Sequence, residues 1–440
     1  MRRSLAIAAA AVVVASVSGF AQAAEDSPQD VKSEINTLQR RLAALEAKDQ
    51  ATTTSAAVQT DATTRSQLLQ TQGFTAGYDK GFKIQSADGK FMLQPGIQFQ
   101  FRNITNFADT ADAGDSLQNG FELRRVRLRL DGNAFTKNLK YSFVWDSARN
   151  GGTTTILDAW ASYNFDGTPY TIKAGQFRNS WVHEGDVGDA KQLTVERSLA
   201  DAALGGTVTD RVQGAEFIYG QADLPIRAAV AFHDGDNSKN TDFRDSDGPD
   251  ATSRVDGNFG FSGRLEYKVF GDWSAYSDFT AKGSEEDLLV VGGGADFSEN
   301  GDANVTRVTI DGQYESTQGL SAYAALLYNN VDGGGASANN YGGLAQVGYL
   351  VTPNWEPFAR YSVVMLDNEV NGEDTFHELT AGVNYYFGEN GSYGHGVKFT
   401  LDLNYLPNGV PLSNSAATGL GYLAGTDDQF ALRAQFQIVF

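Results

Sequence analysis

The stretch "FELRRVRLRL" (Phe121 to Leu130) constrains the fold more than any other part of the chain. Arg124 apart, its arginines fall on alternate residues, Arg125, Arg127 and Arg129, with Val126, Leu128 and Leu130 between them. In a strand, successive side chains point to opposite faces, so one face is cationic and the other apolar. A barrel in a membrane needs that alternation, with lipid outside and a polar interior. An arginine on the lipid face at the bilayer midplane costs about 2–4 kcal/mol, so three cost roughly 6–12. That rivals a whole domain's stability of about 5–15 kcal/mol. The register is therefore forced: the arginines face the lumen and the aliphatic residues face lipid.

The same pattern recurs. "IQFQFR", "LKYSFVWD", "FSGRLEYK", "VKFTLDLNY" and "FALRAQFQIVF" all alternate and all carry aromatic residues. With 48 Gly, 18 Tyr and 27 Phe against 3 Met, the composition suits many strands and turns. Short connections such as "DGTP" (166–169), "FGDW" (270–273), "STQG" (316–319) and "VTPN" (351–354) alternate with long polar ones. The long ones are 104–120, 179–208, 236–256, 283–303, 332–340, 367–373 and 408–427. This predicts an all-β chain folded as a transmembrane antiparallel β-barrel over residues 73–440. Sixteen strands are expected, one of them at 273–282. "KGFKIQSAD" and "LLVVGGGADF" are two further candidates, which would make eighteen.

The register assigns the pore wall. Arg102, Arg125, Arg127, Arg129, Lys140, Arg264, Arg307, Arg360, Lys398 and Arg433 all face inward and form the candidate anion path. A lumen this polar is expected to be wet rather than packed. Segment 179–208 is the candidate constriction, with Glu184, Asp186, Asp189 and Glu196 as its acids. Three readings of the arginine row stand side by side. It is one wall of a transverse field facing the constriction acids, an oxyanion ladder using fork-shaped guanidinium contacts, or a structural row pairing Asp131, Asp146 and Asp158.

The N-terminal part is built differently. Met1-Arg2-Arg3, an apolar run from Leu5 to Val17, and Ala21-Gln22-Ala23 read as a secretory signal peptide over 1–23. In residues 24–48, Val31, Ile35, Leu38, Leu42 and Leu45 are spaced 4, 3, 4, 3. That is a coiled-coil seam of about two and a half heptads, too short to be stable alone. Residues 49–72 are Thr/Ala-rich and aperiodic, as in a linker.

Several function classes lose support. There is no cysteine, so neither disulfides nor thiolate metal sites are available. His183, His233, His377 and His395 form no H-x-x-x-H pair, and no G-x-S-x-G motif occurs, so no enzyme and no cofactor is expected. A formal charge of −20 argues against nucleic acid. Asp234, Asp236, Asp245 and Asp247 have the short spacing of a weak Ca²⁺ site but lack a closing bidentate glutamate.

The terminal "FALRAQFQIVF", ending at Phe440, resembles the last strand of bacterial outer-membrane barrels, which the assembly machinery reads. "GFKIQSADGKFMLQPGIQFQFR", "FELRRVRLRLDG", "LDAWASYNF" and "YTIKAGQFRNSW", in that order, resemble the phosphate-selective porin O/P family. The resemblance implies a sixteen-stranded, trimeric anion channel in the Gram-negative outer membrane, in contact with lipid and lipopolysaccharide. It also implies that Arg125, Arg127 and Arg129 line the pore and that 179–208 is the inward-folded third loop. The helix would then be a periplasmic extension joining three N-termini; separately, the coiled coil and linker allow a different class of function, a structural tether from the outer membrane to the cell wall. The long loops here are acidic, with Asp234, Asp236, Asp242, Asp245, Asp247, Asp250 and Asp256 in one of them. An acidic vestibule lowers local anion concentration.

Overall fold

The computed structural model describes residues 33, 35–46, 48, 73–78, 81–108, 117–147, 152–205, 211–235, 259–300, 303–333 and 335–440. The expected signal peptide, the linker, and Asp236, Asp245 and Asp247 lie outside them. Residues 35–46 are helical, and Ile35, Leu38, Leu42 and Leu45 form an exposed stripe along the helix.

The barrel begins with β3 (Met92–Phe107), β4 (Leu117–Asn133), β5 (Leu139–Asp146), β6 (Thr155–Asn164) and β7 (Tyr170–Arg178). β8 (Arg211–Tyr219), β9 (Ile226–His233), β10 (Gly260–Phe270), β11 (Leu288–Asn300), β12 (Ala303–Glu315) and β13 (Leu320–Gly333) follow. β14 (Ala336–Tyr349), β15 (Trp355–Val370), β16 (Glu373–Tyr386), β17 (Val397–Leu406) and β18 (Gln429–Val439) complete it. Each strand pairs antiparallel with the next, and β18 pairs with β3, so sixteen strands close a ring without a free edge. Two short extra strands, β1 (Phe74–Tyr78) and β2 (Phe82–Ser86), belong to the same sheet, and β2 pairs with β3. The segment "KGFKIQSAD" thus contributes a strand outside the ring.

The predicted register holds. Outward Val230, Leu265, Ile310 and Leu326 are each more than half exposed, whereas inward Arg102, Arg264, Arg360 and Arg433 are buried. The terminal Phe440 exchanges two backbone hydrogen bonds with Ile97, which fixes the chain end to the first barrel strand.

Five expectations need correction. Residues 273–282 are not a strand; they contain the 3₁₀ turn Ala275–Ser277 and lie largely buried. The ninth barrel strand is β11, inside the stretch read as the long loop 283–303, so the count stays at sixteen. The expected short turn at 270–273 is correspondingly the start of a long connection from Gly271 to Asp287. The expected loops 332–340 and 367–373 are tight connections, because β13 to β16 extend nearly to their tips. The candidate "LLVVGGGADF" is a strand, and within it a Cβ on Gly294 would collide with the Trp181 carbonyl. The glycine lets an inward-folded loop press its backbone against the wall.

The fifth correction concerns the lumen, which is only partly wet. Segment 179–205 folds inward, bringing Trp181, Val182, Leu193, Leu199 and Ala200 against Tyr323, Leu344, Phe358, Val364 and Phe376 of the inner wall. Segment 407–428, with its helix Asn414–Leu420, adds Val410, Leu420 and Tyr422 to the same cluster. Inward residues of β11–β18 are consequently buried almost without exception. On β4–β10 the inward face is mixed: Arg125, Ser142, Glu216 and Arg264 are buried, whereas Arg127, Asp146, Trp160, Lys173 and Glu266 keep partial exposure.

Candidate functional site: the constriction and its charged wall

A loop inside a barrel must find partners for its own backbone groups. The inward polar side chains of β15–β18 supply them. Arg360 donates to the Glu196 carbonyl at 2.9 Å and to Thr194 Oγ1 at 2.6 Å. Lys398 Nζ donates to the Gln192 carbonyl at 2.8 Å, and Gln437 Nε2 to the Ala190 carbonyl at 3.0 Å. Asp402 accepts the Val195 N–H at 3.0 Å, Glu378 the Leu199 N–H at 2.9 Å, and Ser362 the Ala200 N–H at 3.0 Å. Ser198 caps the helix Leu199–Leu204 by accepting from the Asp201 N–H. Its own hydroxyl and N–H are held by Glu184, which also lies 3.7 Å from Arg360.

Next along the ring, where β18 pairs with β3 and β3 with β4, two loop carboxylates meet the arginine row directly. Glu196 accepts from Arg102 at 2.9 Å, Arg124 at 2.5 Å and Arg125 at 2.8 Å. Asp189 contacts Arg127, lies 3.3 Å from Arg125 and 3.6 Å from Arg197. Arg127 also donates to Asp146 at 2.9 Å. Arg129 pairs with Asp131 and is more than half exposed, as is the end of the row nearest Lys140. The basic wall and the constriction acids thus touch, with no open gap between them at Arg125.

Arg124 was set aside because it breaks the alternation. The ladder between β3 and β4 shifts register at Gln100/Phe101, where Arg124 and Arg125 share one bulge and both turn inward. Two residues opposing one partner residue is the definition of a bulge. The doubled arginine was its sequence signal. Arg178 was also missed. Its Nη1 donates to the carbonyls of Gly185, Asp186 and Val187, closing the end of the short helix His183–Asp186.

The remaining proposed wall residues divide by exposure. Arg264 pairs with Asp311 at 2.7 Å and Glu266 at 2.7 Å, Arg307 with Asp296 at 3.1 Å, and Arg433 with Asp402 at 2.7 Å; all three arginines are buried. Partly or fully exposed are Arg127, Arg129, Lys140, Lys173, Arg178, Arg197, Arg227 and Lys268, set against Glu122, Asp131, Asp146, Asp158, Asp186 and Glu266. Asp234 is exposed and accepts from Gln213 Nε2 at 3.5 Å. No cluster of metal-ligating residues occurs among the described residues.

Burial by itself would raise the Glu196 carboxyl, but the guanidiniums of Arg124, Arg125 and Arg102 outweigh it and hold the group below the usual carboxylate range. Asp189 is held well below that range in the same way: burial opposes, and Arg125, Arg127 and Arg197 prevail. For a depressed carboxylate, the stabilisation is complete above the unfolded value of about 4 and is lost only as pH falls through the lower folded value. Loop docking is therefore expected to survive mild acid. Single-channel conductance should match at neutral pH and at about pH 4, and rise only at stronger acidity as the loop undocks.

The sequence profile of a family described as phosphate-selective porin O and P matches residues 91–440. A search of curated proteins finds no match. Among solved structures, the chain is similar to the anion-selective porin from Comamonas acidovorans, with TM-score 0.54 and 14% identity over 80% of this chain and 100% of that one. It is similar to OmpF of Salmonella typhi, with TM-score 0.52 and 16% identity over 83% and 100%. It is also similar to the trimer form of OmpT of Vibrio cholerae, with TM-score 0.51 and 12% identity over 79% and 99%. At such identities the likeness is one of fold.

Proposed function

The chain belongs to the phosphate-selective porin O and P family, whose profile spans the whole barrel, and from that premise we propose a diffusion channel for small hydrophilic solutes that prefers anions. Its place is the outer membrane of a Gram-negative bacterium. Segment 179–205 narrows the lumen, and solutes pass between it and the β4–β10 wall. The observation that carries the anion preference is the balance of exposed charge on that path. Arg127, Arg129, Lys140, Lys173, Arg178, Arg197, Arg227 and Lys268 outnumber Glu122, Asp131, Asp146, Asp158, Asp186 and Glu266. Charge on a pore wall sets ion preference without a dedicated binding site. Inorganic phosphate is one solute of this class.

Reversal potential across a salt gradient in planar bilayers tests the reading. Anion selectivity that persists at about 1 M salt is expected, because the Debye length falls to about 3 Å there and distant loop charges are screened first. Cation selectivity under those conditions would remove the anion preference while leaving the channel.

Three barrels joined by their N-terminal helices are the proposed assembly. The exposed stripe Ile35, Leu38, Leu42 and Leu45 has the spacing of a coiled-coil seam. A trimeric structural neighbour supports the number three. The same helix supports a second reading, in which it meets the cell wall and the barrel serves as an anchor. Deleting residues 24–72 separates the two. Loss of trimers supports the first; envelope weakness with unchanged uptake per barrel supports the second.

A further inference from the structure

We infer that the connection Gly271–Asp287 between β10 and β11 is a periplasmic lid, and that Tyr276 at its tip positions the constriction loop from below. The inference rests on the reading of the barrel as a channel. β10 ends and β11 begins on the side where both chain ends of the barrel lie, which is the periplasmic side of a porin. Other connections on that side, such as those joining β5 to β4 and β13 to β12, span only a few residues. This one carries Trp273, Tyr276 and Phe279 into the lumen, all three buried.

The tip meets the loop that enters from the other side. The rings of Tyr276 and His183 stack with centroids 3.9 Å apart and planes 3° from parallel. The Tyr276 hydroxyl accepts from Arg264 Nη2 at 3.0 Å, and Lys191 Nζ of the constriction loop donates to Ser277 Oγ at 2.9 Å. Phe279 packs on Tyr323 of the wall, with centroids 4.7 Å apart. Two loops from opposite mouths therefore share one interface inside the barrel, and the position of either constrains the other.

The stem of the segment is held differently. Trp273 Nε1 donates to the Leu224 carbonyl at 2.7 Å, at the rim. The segment itself encloses most of a cavity of about 660 Å³, bordered by Asp272, Asp278, Lys282 and Glu286 with Glu315 of the wall. The second half of the segment is held along its length, with Thr280 Oγ1 donating to Glu356 at 2.6 Å, Gln313 Nε2 to the Asp278 carbonyl at 2.6 Å and Lys282 Nζ to the Pro353 carbonyl at 2.7 Å, so the cover is seated on the wall. The outer face, with Asp272, Glu285, Glu286 and Asp287 exposed, is polar and suited to the periplasm. A displaced lid would leave His183 without its ring partner and free the lower edge of the constriction.

Removal of the lid tests this. Phe270 pairs with Leu289, so the β10–β11 ladder persists if Asp272–Glu286 is replaced by an Asn-Gly turn. Single-channel recording of that variant is expected to show conductance raised about twofold or more, because the lower edge of the pore is then open. Tyr276→Ala in the intact chain is expected to give a smaller rise with increased flicker, and Tyr276→Phe, which keeps the stack, to record as the parent does. If the deletion fails to insert, Tyr276→Ala decides alone. Parental conductance and noise in Tyr276→Ala and in the deletion overturn the lid and leave the channel standing. A parent chain that forms no channel overturns both.

Discussion

Glu196→Ala is expected to undock the constriction loop and raise single-channel conductance more than any other point substitution. One carboxylate here answers three guanidiniums, from Arg102, Arg124 and Arg125, and it is 3% exposed. Deleting it leaves those charges crowded together in a dry setting. Removal of one partner from a buried ion pair costs about 3–5 kcal/mol, because the other charge remains desolvated. The barrel itself should survive, since its ladders do not involve the loop. The arginines can regain water only if the loop moves away, so the released energy is spent on opening. Limited proteolysis should cut within 179–205 in the variant and not in the parent, and the anion-to-cation permeability ratio should rise. Glu196→Gln, with the shape kept and the charge removed, should lie between. Unchanged conductance and protease resistance in Glu196→Ala would mean that the β15–β18 contacts alone hold the loop.

Arg433→Ala is expected to weaken the barrel as a whole. Arg433 and Asp402 are neighbours across β17 and β18, joined at 2.7 and 2.8 Å and fully buried. Arg433 also donates to the Leu420 carbonyl at 2.7 Å and to Asn404 Oδ1 at 3.0 Å, so one side chain ties two strands to segment 407–428. Truncation strands the Asp402 carboxylate and opens a void, for a loss of about 3–5 kcal/mol. Urea unfolding of the folded protein in detergent should show a clearly lower midpoint. The double variant Asp402→Asn with Arg433→Met, which removes both charges, should recover part of the loss. A single variant with the parental midpoint would show that water reaches Asp402.

The barrel was legible because period-two alternation is enforced by energy. Every inward arginine has an aliphatic or aromatic neighbour that must face lipid, so the pattern cannot drift. Two features were hidden behind that rule. Arg124 looked like an interruption, yet a doubled residue in an alternating strand is how a bulge is written. Residues 273–282 looked like a strand because aromatics recur there. Their spacing gave the alternative: Trp273, Tyr276 and Phe279 are three apart, the repeat of a 3₁₀ turn rather than of a strand. In β11, Gly294 is required where the loop backbone at Trp181 presses against the wall.

Beyond the inward-folded loop at 179–208, the extent to which the lumen is filled was not legible. Polar inward residues such as Lys398, Asp402 and Glu378 read the same whether they meet water or a loop backbone. Only the tertiary arrangement assigns them to docking. The transverse field and the structural row proved hard to separate for the same reason. Arg125 is engaged by loop carboxylates, Arg127 by loop and wall carboxylates together, and Arg129 by wall carboxylate and solvent.

The register of β4 is the claim beneath all of this, and the absence of native cysteine makes it directly measurable. Arg127→Cys and Val126→Cys variants, reconstituted in planar bilayers, can be exposed to a small, charged, water-soluble thiol reagent while current is recorded. Current through Arg127→Cys should step down as the thiol is modified, and Val126→Cys should stay silent to that reagent while reacting with a lipid-soluble one. Modification of Val126→Cys from the aqueous phase, with Arg127→Cys unreactive, would place the guanidinium row against lipid and contradict the account.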